Sequence, residues 1–359
     1  MNIFKEKARQ ELDRKLPLLP WYVEKYMDYK RADLSPTTLL EYARDYETFF
    51  GWMLAEGLTE ASRPSEITLS DLEALRLENI DLYKAFLAGK RDRTNAKATI
   101  VRKLSSLRSL FHYLSQIAED ENYYPLLRRN VMAKIELKRT SKVRDMANKL
   151  EGKLLQEDEI ASFIAYIREG YGHDVEGNKQ ALHAYRLNRE RDASIISLIL
   201  HSGLRVSEVV NLTVDDVDLD RKLVYVHRKG TREEAFKTGV YFRQEAKEDL
   251  LRYLAIRDDG YRPPRREKAL FLAVPNGQRE GKRMTRRAIQ EMVTKYAKRF
   301  GKPHLRVHRL RHSFATDYYL QNDLYKTQEQ LGHASPETTQ LYAHLTDKTM
   351  SRAIDNRRE

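Results

Sequence analysis

The strongest constraint on the fold is a helical repeat of apolar residues, clearest from Ala98 to Ile117, ATIVRKLSSLRSLFHYLSQI. Ile100, Leu104, Leu107, Leu110, Phe111 and Leu114 recur at helical spacing, while Arg102, Lys103 and Arg108 fall elsewhere. Side chains so spaced line one face of a helix, which must be buried against another element. The same pattern runs through LSPTTLLEYARDYETFFGWML, with Ser35 placed as N-cap and Pro36 at the first helical position. Leu39, Tyr42, Tyr46, Phe49, Phe50 and Met53 then carry the apolar face. A small all-helical domain over residues 1–127 is the expectation.

From 128 to 153 the chain is rich in Lys and Arg without a strong apolar period, which predicts a basic linker. Helical patterns resume after Leu154, in LLQEDEIASFIAYI, and again in RDASIISLILHSG beyond a polar, glycine-containing insertion from Gly170 to Asn188. The period then changes. Leu223 to His227 reads as a strand, Arg228 to Thr231 as its turn and Gly239 to Phe242 as a second short strand. A helix starts near Thr285, with Ile289, Met292 and Tyr296 on one side and Arg286, Arg287, Lys295, Lys298 and Arg299 around it. The second domain, 154–359, is therefore mainly α with a small β-sheet.

Lys and Arg total 65 against 53 Asp and Glu, a net charge of +12, so a polyanion such as nucleic acid is the expected partner. The chain has no cysteine, which excludes disulfides, thiolate nucleophiles, zinc fingers and iron–sulfur clusters. Its longest apolar run, near Ile195 to Leu200, falls far short of the ~20 residues that span a bilayer. A cytoplasmic protein without membrane contact is expected. Two motifs mislead. Asp216, Asp218 and Asp220 have the opening spacing of a calcium loop, but Arg221 replaces its glycine and His227 its final glutamate. Gly170, Gly172 and Gly177 miss the dinucleotide spacing.

Three blocks carry a more specific chemistry. Arg205 follows an apolar helix at a turn, with Glu208 three residues on to brace its guanidinium. His308 and Arg311 share a face if helical, with His312 next to them. His333 precedes a helix start at Ser335–Pro336, and Tyr342 lies about two turns inside that helix. Singly, each is more often structural. Converging, two guanidiniums would clamp a phosphodiester, histidines would exchange protons, a tyrosine would attack and Lys229 would protonate the departing alkoxide.

In this order, HSGLRVSEVVNLTVDDVDL, the turn lysine of VHRKGTRE, VHRLRHSFATDYYLQND and LGHASPETTQLYAH resemble the tyrosine recombinase, or phage-integrase, family, and within it the Xer-type chromosome recombinases. LSPTTLLEYARDYETFFGWM and TIVRKLSSLRSLFHYL are similar to that family's core-binding domain. The resemblance implies a two-domain C-shaped clamp, with a helical, SAM-like core-binding domain ahead of the catalytic domain. It implies Arg205, Lys229, His308, Arg311, His333 and Tyr342 as the catalytic set, Tyr342 being the nucleophile. It further implies a 3′-phosphotyrosyl intermediate with no cofactor and no obligatory metal, and a homotetramer on two double-stranded DNA sites. A dif-like site serving chromosome dimer resolution and a DNA translocase at the division septum complete that picture. Extra N-terminal residues with Trp21–Tyr22, the longer linker and the 170–188 insertion are similar to the single-recombinase, XerS-like branch. The tail after Tyr342, with Leu345, Met350 and Ile354, is expected to dock on a neighbouring subunit. Arg102, Lys103, Arg286, Arg287, Lys295 and Arg299 are the expected DNA contacts. Alternatives are a topoisomerase of the same chemistry, a phage or transposon integrase, or a catalytically silent DNA-binding regulator.

Overall fold

The computed structural model describes residues 3–89, 97–137, 147–148, 150, 152–228, 237–274, 278–332, 339–343 and 345. The chain divides into two compact units, Met1–Thr140 and Ser141–Glu359. No helix among the described residues is long and apolar enough to cross a membrane.

The first unit holds helices α1 (Ile3–Lys15), α2 (Trp21–Lys30), α3 (Pro36–Ala55), α4 (Leu69–Ala74), α5 (Leu77–Gly89) and α6 (Lys97–Gln116). α3 starts where its cap chemistry says it should. The Ser35 hydroxyl accepts from the Thr38 N–H at 3.3 Å, and Pro36 occupies the first position, where no amide donor is needed. α1 and α6 pack on α3, and the apolar faces meet in an aromatic core of Tyr22, Tyr26, Tyr46, Phe49, Phe50, Trp52, Tyr83 and Phe111, all essentially buried. An aromatic side chain so placed removes ~150–250 Å² from water, roughly 4–6 kcal/mol of gross hydrophobic stabilisation each. The polar tips are bonded where the core allows, as with Tyr46 Oη donating to the Ser106 carbonyl at 2.9 Å.

The expected tether from 128 to 153 is shortened at both ends. Val131, Met132 and Ile135 are buried in the first unit's core, and Ala147 is buried in the second's. Their apolar surface was hidden in the sequence by the surrounding lysines and arginines; residues 138–146 lie outside the described set.

The second unit holds α7 (Glu157–Ala165), α8 (Tyr171–Asp174), α9 (Lys179–Ser202), α10 (Val206–Asn211), α11 (Gln244–Tyr261), α12 (Arg286–Arg299), α13 (Val307–Gln321) and α14 (Leu324–Leu331). Antiparallel strands β1 (Val217–Asp218), β2 (Leu223–Val226) and β3 (Thr238–Tyr241) lie in that order, with Val224 opposite Val240. A second pair joins β4 (Leu272–Ala273) to β5 (Lys282–Arg283). α9 is the central post, packed by α11 and α13. Every residue from 191 to 204 is buried, which suits the run SIISLIL, apolar on all faces. The polar 170–188 insertion is largely helical: α8 falls inside it, and Asn178 caps α9 by accepting from the Ala181 N–H at 3.0 Å. Asp216, one of the residues at calcium-loop spacing, caps its own turn by accepting from Thr213 N–H and Oγ1 and pairs with Lys237.

Candidate active site

The site forms where α9, α10, α13 and α14 end or begin. α9 stops at Gly203, whose φ of 71° is left-handed. A Cβ there would meet Phe314 Cδ1 at 2.5 Å and Leu331 Cδ2 at 2.8 Å, so glycine serves both the conformation and the close approach of α13 and α14. The chain then re-enters α10 with Arg205 at its N-cap. The buried Glu208 carboxylate accepts from the Arg205 N–H at 2.7 Å and from Nη1 at 2.9 Å, fixing backbone and guanidinium together.

Arg311 comes from α13 and is buried. Its Nη1 donates to the Gly203 carbonyl at 2.5 Å and its Nη2 to the Leu331 carbonyl at 2.7 Å, while Glu208 lies 3.9 Å away. Burial first, then the like charge of Arg205, lower its pKa to about 10, which leaves it cationic at neutral pH. Arg205 Nη2 donates to the Gly332 carbonyl at 3.0 Å. The two guanidiniums are thus tied to adjacent carbonyls at the end of α14, Leu331 and Gly332.

His308 precedes Arg311 by one turn of α13, and its ring centroid is 4.9 Å from that of His312. Burial, then Arg311 and Arg205, lower the His308 pKa. Residues 339–343 are helical, and Tyr342 is fully buried among Phe314, Ala315, Leu331 and Leu341. Its hydroxyl lies 2.9 Å from His312 Nδ1. Burial and the neighbouring charges hold His312 near 3, and burial pushes Tyr342 up to about 12, against the pull of Arg311 and Arg205. At neutral pH a neutral ring is therefore hydrogen-bonded to a protonated phenol, the tautomer of the ring setting which of the two donates.

Arg205, His308, Arg311 and Tyr342 come from segments far apart in sequence into one unit, with Glu208 and His312 as their neighbours. Lys229 and His333 lie outside the described residues. One residue escaped the sequence reading. Arg228, at the turn that the sequence predicts after β2, donates from Nη1 to the Glu329 carbonyl at 3.1 Å and from Nη2 to the Gln330 carbonyl at 2.6 Å. Its partners are backbone carbonyls, which carry no signature in sequence.

The expected DNA contacts divide. Arg102 grips Asp45 with both terminal nitrogens, at 2.5 and 2.8 Å, and Lys103 adds 3.1 Å. Asp45 is 1% exposed, so releasing these cations would strand a buried carboxylate. Both cations are thus engaged with a buried carboxylate, although the Arg102 side chain is still 42% exposed. On α12, Lys295 sits 4.1 Å from the Tyr296 ring centroid and 3.9 Å from Asp192, with its side chain 42% exposed. Arg287 pairs with Glu291 at 2.7 Å on an exposed face, where solvent screens the pair and it yields easily to phosphate. Arg286 and Arg299 are also exposed.

Residues 155–349 match the family model described as Phage integrase family. The chain is also 35% identical over 361 residues to tyrosine recombinase XerS of Streptococcus pneumoniae (strain P1031), covering 97% of this chain and 98% of that one. The chain belongs to the phage integrase family. Within that family it is an Xer-type tyrosine site-specific recombinase, an enzyme that cleaves and religates DNA. Its fold is like that of XerH site-specific recombinase bound to palindromic difH substrate in a post-cleavage complex, with TM-score 0.63, 20% identity and coverage of 98% and 97% of the two chains. The XerH pre-cleavage complex with difH gives 0.58 and 21%, covering 92% of this chain and 83% of that one.

Proposed function

We propose that Tyr342 is the nucleophile of this recombinase and that Arg205 and Arg311 hold the scissile phosphate. The observation that carries this is the Tyr342–His312 hydrogen bond of 2.9 Å, made on the same helix that presents the buried Arg311. In the reaction, Tyr342 Oη gives up its proton to solvent and bonds to phosphorus while the P–O5′ bond breaks, leaving a 3′-phosphotyrosyl link and a 5′-hydroxyl. The 5′-hydroxyl of a partner strand then attacks the link and restores the tyrosine. One phosphodiester is exchanged for another of similar energy, so the exchange needs no external energy source. Arg205 and Arg311 stabilise the charge that builds on the phosphate oxygens. His308 and His333 donate to the same oxygens, and Lys229 protonates the 5′ oxygen. Because His312 is held so far below Tyr342 in basicity, its role is to orient the phenol rather than to keep its proton.

The biological reading rests on the XerS relative. The enzyme acts in the cytoplasm on double-stranded chromosomal DNA at a dif-like site, as a homotetramer holding two sites, resolves chromosome dimers, and responds to a DNA translocase at the septum. Arg286, Arg287 and Arg299 on α12 contact the duplex.

Covalent trapping tests the chemistry. Mixing the protein with nicked duplexes that carry candidate chromosomal recombination sites is expected to give a protein–DNA adduct on denaturing gels. The adduct should vanish in Tyr342→Phe while DNA binding persists; tight, sequence-specific binding without any adduct would count against Tyr342 as nucleophile.

A further inference from the structure

The last turn of α14 is held in an unusual way. A helix ends with carbonyls that have no intrahelical donor and with the negative pole of its dipole. Here four successive carbonyls, Glu329, Gln330, Leu331 and Gly332, accept from three guanidiniums, those of Arg228, Arg311 and Arg205. The side chain of Gln330 adds a second tie, donating to the Ser202 carbonyl at 3.0 Å and to the Tyr241 carbonyl of β3 at 2.7 Å. Arg228, two residues beyond β2, thus clasps α14 from one strand of the sheet, and Tyr241 receives it on the other.

Gly332 is fitted to this clasp. It adopts φ 61°, and a Cβ on it would fall on the Arg228 guanidinium. Gathering three cations is unfavourable by itself: burial lowers the Arg228 pKa, Glu208 and Glu329 oppose that shift, and Arg205 adds to it. Glu208 is the anion that faces Arg205 and Arg311. Such an arrangement suits a site that receives a further anion. Arg205 and Arg311 have roles in the phosphate clamp; Arg228 has none yet, though His333 follows Gly332 and Lys229 follows Arg228 directly in the chain.

We infer that Arg228 is a positioning residue for strand cleavage: by bridging the Glu329 and Gln330 carbonyls it fixes the C-terminus of α14, and with it the point from which the chain leads to His333 and the carbonyls that aim Arg205 and Arg311. This rests on the catalytic roles proposed above. Arg228 and Gly332 act as a matched pair, the one filling the space the other leaves.

The test is single-turnover cleavage of a nicked duplex under protein excess, with DNA affinity measured in parallel by gel shift. Arg228→Ala is expected to cleave at least about tenfold more slowly, since small misplacements of reacting groups carry penalties of that order, with affinity kept within about threefold. Arg228→Lys is expected not to restore the rate, because an ammonium is a compact donor without the fork that spans two carbonyls. Gly332→Ala should also be slow, and the double variant should be no slower than Gly332→Ala by more than about twofold, the mark of two residues in one interaction. Wild-type cleavage by Arg228→Ala, full rescue by lysine, affinity lost in step with rate, or additive losses in the double variant would each overturn the inference. If Arg228→Ala fails to fold, Gly332→Ala alone decides, and wild-type cleavage by it overturns the inference. An adduct that survives Tyr342→Phe would sink the nucleophile assignment and leave the rate comparison at Arg228 readable.

Discussion

At the scale of single residues, the site is built from groups whose ordinary protonation is shifted by where they sit. His308 and His312 are both pushed below the usual imidazole range of about 6.5, His312 to about 3. An unfolded chain binds a proton on each ring below pH 6.5 that the folded chain refuses, so the unfolded state gains on acidification. The second unit is therefore expected to lose stability as pH falls from about 6.5, with a slope of up to about 1.4 kcal/mol per pH unit for each ring. Urea melts between pH 5 and 6.5, above most carboxylate titration, should show a shallower loss for His312→Asn than for the wild type. Equal slopes would mean that His312 titrates alike in both states. Tyr342, near 12, stays protonated across this range, so the trend reports the imidazoles.

Elements meet at this site only because certain positions lack side chains. Gly203 ends α9 in the left-handed region and lets Phe314 and Leu331 close on its backbone. Gly203→Ala is expected to destabilise by about 2–5 kcal/mol, combining ~1–2 for the left-handed backbone with ~1–3 for overpacking. Chemical denaturation of the full chain would read this in the transition of the second unit, and a loss under about 1 kcal/mol would mean that α13 and α14 can shift apart. The helices themselves were legible. Ser35 with Pro36 and Thr285 mark starts that the structure keeps, because a cap acts through residues three positions away. The 170–188 insertion was not, since its helical turns are polar outside and hold their buried face with Tyr171 and Tyr185, separated by a loop.

Viewed as a whole molecule, the chain has two units with separate cores. The first closes its aromatic cluster with its own helices and with Val131, Met132 and Ile135. A fragment of residues 1–140 is therefore expected to fold alone, with a cooperative thermal transition and near-native helical circular dichroism; a fragment that melts without a transition would show that its core depends on the rest of the chain. A fragment ending at 127 should be weaker, because it omits those three buried side chains. The charge balance that pointed to a polyanion says little about how each cation is engaged: Arg102 and Lys103 pair with Asp45, more than fifty positions earlier.

The sequence by itself determined the helices, through apolar period and caps, and the family, through blocks in order. It also offered Arg205, His308, Arg311 and Tyr342 as the expected catalytic residues, through their chemistry in those blocks, and the fold brings these four into one unit. Only the tertiary structure decided which cations face the site and which neutralise a buried carboxylate, and that Arg228 belongs with Arg205 and Arg311. The physical reason is that these choices turn on backbone carbonyls and on one buried Asp45. A carbonyl is the same group at every position, and it becomes a specific acceptor only when packing leaves it without a donor and brings a guanidinium to it.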